Sequence, residues 1–174
     1  MDLRATLNLP DADFTIPMKA DLAKLEPAIQ AEWDAQRLYH ALQEARSEAP
    51  TFVLHDGPPY TNSPIHIGTA LNKILKDFVV KSKCMAGYRT PYVPGDDNHG
   101  LPIEQAVFRA FHEQGVQPDI VQLRQACREH AAKYIDVQTE QFKRLGVLGL
   151  WERPYRTMAY AFEAEIVRIF CRMV

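Results

Sequence analysis

Apolar side chains recur along this chain at two different periods, and the alternation between them predicts helix, strand and loop in turn. Leu22, Leu25, Ile29, Trp33 and Tyr39 return at near-helical spacing, so an amphipathic helix is predicted from about Lys19 to Gln43, with Pro27 marking a break or a new start. It reads as a packing arm. Thr51-Phe-Val-Leu54 is a short β-favouring run that ends at Asp56-Gly-Pro-Pro59, the pattern of a buried strand entering a tight loop. From Ile67 to about Ala86, the positions Leu71, Ile74, Leu75, Phe78 and Val79 make one helical stripe, and Gly87 is placed to stop it. Tyr88 to Val93 is a second extended run, weakened by Pro91 to an edge or irregular segment. Strand, helix and strand make a βαβ unit, whose ligand loops belong at the carboxyl ends of its strands.

Further along, Ile103 to Gln114 reads as a helix. Asp119 to Leu145 reads as a long one, with Leu123, Cys127, Ala131, Tyr134, Phe142 and Leu145 on or near one face and Gly146 ending it. Trp151 to Met158 is aromatic and β-prone. Phe162, Ile166, Ile169, Phe170 and Met173 then open another amphipathic helix, with no cap or breaker after it, as expected for a piece of a longer chain.

Composition narrows the class. A chain of 174 residues with 47% hydrophobic content can bury the core of one domain with a helical appendage. Twenty Lys+Arg against twenty-two Asp+Glu give a net charge of −2, which argues against a surface built throughout for nucleic acid. Cys84, Cys127 and Cys171 are odd in number and far apart, so neither a disulfide framework nor a zinc site is indicated, and a reducing, cytoplasmic compartment is expected. The opening residues carry charges and prolines instead of a basic start and an apolar run, so neither export signal nor membrane span is expected.

The candidate chemistry lies between His55 and Glu104. His66, Gly68 and Thr69 stand where a helix begins, so backbone N–H groups, the helix dipole and an imidazole can face an anion, with phosphate the obvious one. His66 could equally cap the helix without a ligand, and Thr69 could donate to phosphate or satisfy the first helical turn. Gly68 allows a ligand to approach the backbone where a Cβ would intrude. Asp97 sits in a Pro/Gly-rich loop, Pro94-Gly-Asp-Asp97-Asn-His99-Gly100, where its carboxylate serves a turn or a cationic ligand. Together these segments read as a nucleotide site beside an ammonium site. His99 reads as a structural hydrogen-bonding residue, and Lys73, Lys76, Lys81 and Lys83 read as a solvated helix face more than a nucleic-acid patch.

Four segments carry a family resemblance: His55-Asp-Gly-Pro-Pro-Tyr60; His66-Ile-Gly-Thr69 with Asn72-Lys-Ile-Leu-Lys-Asp77; Gly95 to Glu104; and Gln141-Phe-Lys-Arg-Leu-Gly-Val147 leading to Trp151-Glu-Arg-Pro-Tyr-Arg-Thr-Met158. In this order and spacing they resemble the amino-terminal part of class I aminoacyl-tRNA synthetases, specifically the isoleucyl member of the isoleucine, valine and leucine group. The resemblance implies an α/β fold, the first half of a Rossmann-like (HUP-type) parallel-sheet nucleotide-binding domain behind an N-terminal helical arm. The arm would be residues 1–50 and the half-domain residues 51–174, the chain stopping before the editing insertion. It implies activation of isoleucine by ATP with Mg²⁺ and transfer to tRNA(Ile), with the remaining part of the synthetase chain as a further partner.

Under the resemblance, His66 and Thr69 are catalytic and bind ATP together with Gly68, while Gly57, Pro58 and Asp97 bind the amino acid. A donor such as His66 aimed at the transition state is worth about 3–4 kcal/mol. Four residues depart from the family pattern. Thr69 replaces the histidine that usually ends the signature, keeping a hydroxyl but losing an imidazole. Asp96 replaces an aromatic residue, which sets two carboxylates side by side. Ser63 and Leu150 also stand where glycine and aspartate are expected. Two other readings stay open: a stand-alone remnant that binds ATP or activates an amino acid, and a non-catalytic paralogue that only binds a partner.

Overall fold

The computed structural model describes residues 19–174; the part of the expected arm before residue 19, and the opening stretch read as free of an export signal, lie outside them. Among the described residues the order is α1 (Leu22–Ala35), α2 (Leu38–Ala45), α3 (Ile67–Met85), β1 (Gly95–Asp96), α4 (Leu101–Glu113), α5 (Ile120–Arg144), β2 (Tyr155–Arg156) and α6 (Tyr160–Met173). The fold is helical with a small parallel sheet, and no helix among the described residues is long and apolar enough to cross a membrane.

The helices start and stop where local chemistry directs. Asp119 opens α5 by accepting the Val121 and Gln122 amides, while the Gln122 side chain accepts the Asp119 amide in return. Gly146 closes it at φ 78°, a left-handed conformation that costs a residue with a Cβ, and its amide returns to the Lys143 carbonyl. Helix α4 begins two residues earlier than expected because Pro102 fits the first turn, where no amide hydrogen is needed. The single helix expected over Lys19–Gln43 is two helices, and the break is not at Pro27. Pro27 lies inside α1, where it forfeits one backbone bond, and Arg37 makes the break in a left-handed conformation.

Helices α1 and α2 make contacts far along the chain. Gln30 Nε2 donates to the Arg144 carbonyl at 2.8 Å, and Tyr39 Oη both donates to the Tyr92 carbonyl and accepts its amide.

Strands are shorter than the sequence predicts. The run Thr51–Leu54 contributes one parallel bridge, Thr51 to Arg89, and Val53 is 68% exposed, so the expected buried strand is an edge segment. Helix α3 still connects two parallel segments, as a βαβ unit requires. The 94–97 segment pairs in parallel on both sides: Gly95 and Asp96 with Tyr155 and Arg156, and Asp97 with Tyr60.

The core sits in two places. Helices α4 and α5 pack together and bury Ile103 and Val107 of the first and Ala131 and Ile135 of the second, and Val80, Tyr92 and Val147 form a cluster with Leu54 and Trp151 against it. Helix α3 joins that cluster in an inverted sense. Its buried residues are Lys73, Asp77 and Val80, while the stripe at Leu71, Leu75 and Phe78 is 53–63% exposed.

Candidate active site

The helix mouth is built by its own first residues. His66 is the N-cap of α3 in extended conformation, and its Nδ1 accepts the amides of Gly68 at 3.1 Å and Thr69 at 3.4 Å. An accepting Nδ1 carries no proton, so the neutral ring has its hydrogen on Nε2 and that nitrogen is the donor left over. Gly68 leaves room for this ring: a Cβ there would lie 3.0 Å from His66 Cε1. A cleft of about 400 Å³ opens beside the mouth, lined by His66, Gly68 and Thr69 from α3 and by Gly57, Pro58 and Tyr60 from the preceding loop. A larger cavity of about 540 Å³ lies between the arm and residues 146–152, away from all of these.

Asp97 does not line the cleft; it is tied to its rim. Its amide donates to the Pro59 carbonyl at 2.9 Å, and its carbonyl accepts the Thr61 amide at 2.9 Å. Its carboxylate is half-buried near Thr157 Oγ1 at 3.5 Å, beyond a strong hydrogen bond. Asp96 and Asp97 are not a matched pair side by side, because successive residues of extended chain face opposite ways. Asp96 is buried, 3.5 Å from Arg156 Nε, and its Oδ2 has no hydrogen-bond partner. Burial therefore pushes its carboxyl above the usual range, against the opposing pull of Arg156 and Lys73. His99 bonds Glu163 of α6 at 3.0 Å, the structural role expected of it.

The lysines of α3 are not a solvated face. Lys73 is 2% exposed, 2.5 Å from Asp56 Oδ2, with its ammonium 4.8 Å from the centre of the Phe142 ring. Lys76 reaches Asp56 Oδ1 and the Gly57 carbonyl, each at 2.8 Å. Lys81 pairs with Asp77 and donates to the Gly146 carbonyl, and Lys83 lies over the rings of Phe52 and Tyr88. Burial alone would raise the Asp56 carboxyl, but the Lys73 charge and the hydrogen bonds from Lys73, Lys76 and Gly95 outweigh it and hold the group below its ordinary value. Burial pulls the Lys73 ammonium downward in turn. With two ammonium groups and an amide converging on it, Asp56 is the ionised member on which the cluster is organised.

Helix α5 supplies contacts that sequence reasoning missed. Gln138, buried in the C-terminal half of α5, donates to the carbonyls of Tyr60 at 2.8 Å and Ser63 at 2.7 Å. Gln141 accepts the Ile65 amide at 2.9 Å, and His130 bonds the Asn62 carbonyl at 3.1 Å. These three hold the loop that delivers His66. The available signal was a glutamine at a core position of the α5 pattern, where a polar side chain needs a partner.

The model of the family described as tRNA synthetases class I (I, L, M and V) matches residues 28–174. The chain belongs to the class I tRNA synthetases. Its match to this synthetase family takes in residues 28–50 as well as the cleft. Isoleucine–tRNA ligases of Xanthomonas oryzae and Desulfitobacterium hafniense are 50% identical to it over 173 residues, and that of Stenotrophomonas maltophilia is 51% identical. Each match covers 99% of this synthetase chain and 18% of the relative, so the chain spans under a fifth of the length of these curated relatives. A crystal structure of the ternary complex of Agrobacterium radiobacter LeuRS with tRNA and LeuAMS shares its fold, with a TM-score of 0.68 over 89% of this chain and 18% of that one, at 20% identity.

Proposed function

We propose that this chain is the amino-terminal part of an isoleucine–tRNA ligase, and that residues 51–174 form the first half of its Rossmann-like, HUP-type nucleotide-binding domain behind the arm of residues 1–50. The observation that carries the reading is the cleft shared by His66, Gly68, Thr69, Gly57 and Pro58, with Asp97 hydrogen-bonded to its rim. In the proposed reaction a carboxylate oxygen of isoleucine attacks the α-phosphate of ATP, a new P–O bond forms, and pyrophosphate leaves with the electrons of the broken P–O bond. The isoleucyl group then passes to tRNA(Ile).

His66 Nε2–H would donate to phosphate oxygen as negative charge builds, with the first amides of α3 adding their dipoles. Thr69 would add a hydroxyl. Asp97 would take the α-ammonium, and Gly57 with Pro58 would wall the apolar side chain without losing side-chain entropy. Mg²⁺ would enter on the phosphates of ATP, as it does where one or two carboxylates and substrate phosphates hold it. A cytoplasmic setting and the rest of the synthetase chain as partner belong to the same reading.

The test is isoleucine-dependent exchange of label between pyrophosphate and ATP, measured on residues 1–174 and on the complete protein encoded with them. Clear exchange by the complete protein and little by residues 1–174 supports the reading. Silence in both would select the non-catalytic paralogue, and full exchange by residues 1–174 alone would select the stand-alone enzyme.

A further inference from the structure

One carboxylate, shut off from solvent, joins three segments that carry the candidate site. Asp56 Oδ2 takes the Lys73 ammonium at 2.5 Å and the Gly95 amide at 3.0 Å, while Oδ1 takes the Lys76 ammonium at 2.8 Å. Lys73 and Lys76 stand about two and three turns along α3 from His66. Gly95 stands just before Asp96 and Asp97 in the same extended segment. Asp56 itself precedes Gly57, whose carbonyl also holds Lys76. The Tyr155 hydroxyl completes the knot by donating to the Asp56 carbonyl, and its ring lies so close to Gly95 that a Cβ there would stand 2.1 Å away.

We propose that Asp56 is a positioning residue. Its carboxylate, ion-paired to Lys73 and Lys76 and bonded to the Gly95 amide, fixes the separation between the phosphate-facing mouth of α3 and the ammonium-facing Asp97 segment. The inference rests on the reading of the site proposed above.

Stability is a weak explanation for such a cluster, because buried ion pairs are often replaceable by apolar side chains at no cost. Geometry explains it better. Three donors converge on Asp56, and an ionised carboxylate offers enough lone pairs for all of them, whereas an amide would turn hydrogens toward an ammonium. With the Phe142 and Tyr92 rings beside its ammonium and only 2% of its surface exposed, Lys73 is largely shielded from solvent, which stiffens the link. Two substrates that must meet gain from such stiffness, since a misplacement of about 1 Å costs on the order of 10²-fold in rate.

The experiment uses the complete protein and pyrophosphate exchange, with Asp56→Ala combined with Lys73→Met, and separately Lys76→Met. The double variant removes acceptor and ammonium together and leaves no lone charge at the Lys73 position. The inference expects it to fold, with isoleucine KM raised and kcat lowered by roughly 10-fold or more and ATP KM moved much less. Lys76→Met, at a partly exposed side chain, should raise isoleucine KM several-fold at an unchanged thermal midpoint. A merely structural role predicts the reverse, a lowered midpoint with wild-type constants, and that result overturns the inference. Should the double variant not fold, Lys76→Met decides alone. Wild-type protein without isoleucine-dependent exchange refutes the proposed function instead, and this inference falls with it.

Discussion

The Nδ1 of His66 lies 3.1 Å from the Gly68 amide, so the ring that caps α3 keeps only Nε2 for a ligand. Capping and the proposed phosphate contact would thereby fall to different nitrogens, and substitutions can separate them. His66→Asn keeps an N-cap acceptor and should leave the thermal midpoint of the complete protein close to wild type, while pyrophosphate exchange falls about 10²–10³-fold. His66→Ala should lose the same activity and about 1 kcal/mol of stability as well. An Asn variant with undiminished exchange would reduce the imidazole to a cap.

Asp97 offers a half-buried carboxylate without a strong internal partner. Asp97→Ala should weaken isoleucine binding by about 1.5–3 kcal/mol, roughly 10- to 100-fold, with ATP binding nearly intact in the complete enzyme. Calorimetric titration with each substrate separates the two. Equal losses would mean that Asp97 holds the site together instead of holding the ammonium.

Asp96 gives a pH signature of known sign. Because burial raises its folded pKa above the unfolded value, the folded state holds its proton more tightly, and stability falls as pH rises from about 4 through the folded pKa. Asp96→Asn removes that loss. It should be more stable than wild type at neutral pH, on the order of 1 kcal/mol, with the advantage vanishing near pH 4. Thermal midpoints measured across that range decide it; an advantage that grows toward acid would show the sign to be wrong.

Gln138 bridges two carbonyls of the loop before His66. Gln138→Leu leaves both short of a donor and should cost about 1–3 kcal/mol. Its distinguishing readout is hydrogen exchange, which should quicken at the amides of residues 60–65 while those of α4 stay unchanged. Uniform quickening across the chain would mean that the glutamine only fills the core.

The helices were legible because their signals are local. Asp119, Gly146 and Gly87 fixed ends that the structure places within a residue or two, and the 3.6-residue stripes between them gave the lengths. The strands were less legible, since their pairing depends on partners far along the chain; Thr51 finds Arg89, and Gly95 finds Tyr155. Arg37 could not be read as a break because nothing in its side chain favours a left-handed backbone, whereas Pro27, the obvious breaker, is accommodated inside α1 at the cost of one backbone bond. In the site, His66, Gly68, Thr69, Gly57 and Pro58 were gathered by motif into what proves to be one cleft. The charges around it were misread. A lysine looks solvated until its partner is known, and Asp56, seventeen positions before Lys73, gives no periodic hint of the pairing. The grip of Gln138, Gln141 and His130 on the loop was hidden for the same reason.

Helix α3 turns its ionic side inward and its oily side outward, which reverses the usual guidance for handling and redesign. Amine-reactive labels and charge-adding surveys would nominate Lys73, yet they would meet a shielded group whose modification tears out an internal anchor. For residues 1–174 handled by themselves, polar replacements intended to keep this segment from sticking belong instead at Leu71, Leu75 and Phe78, the positions that a helical-wheel diagram would mark as untouchable.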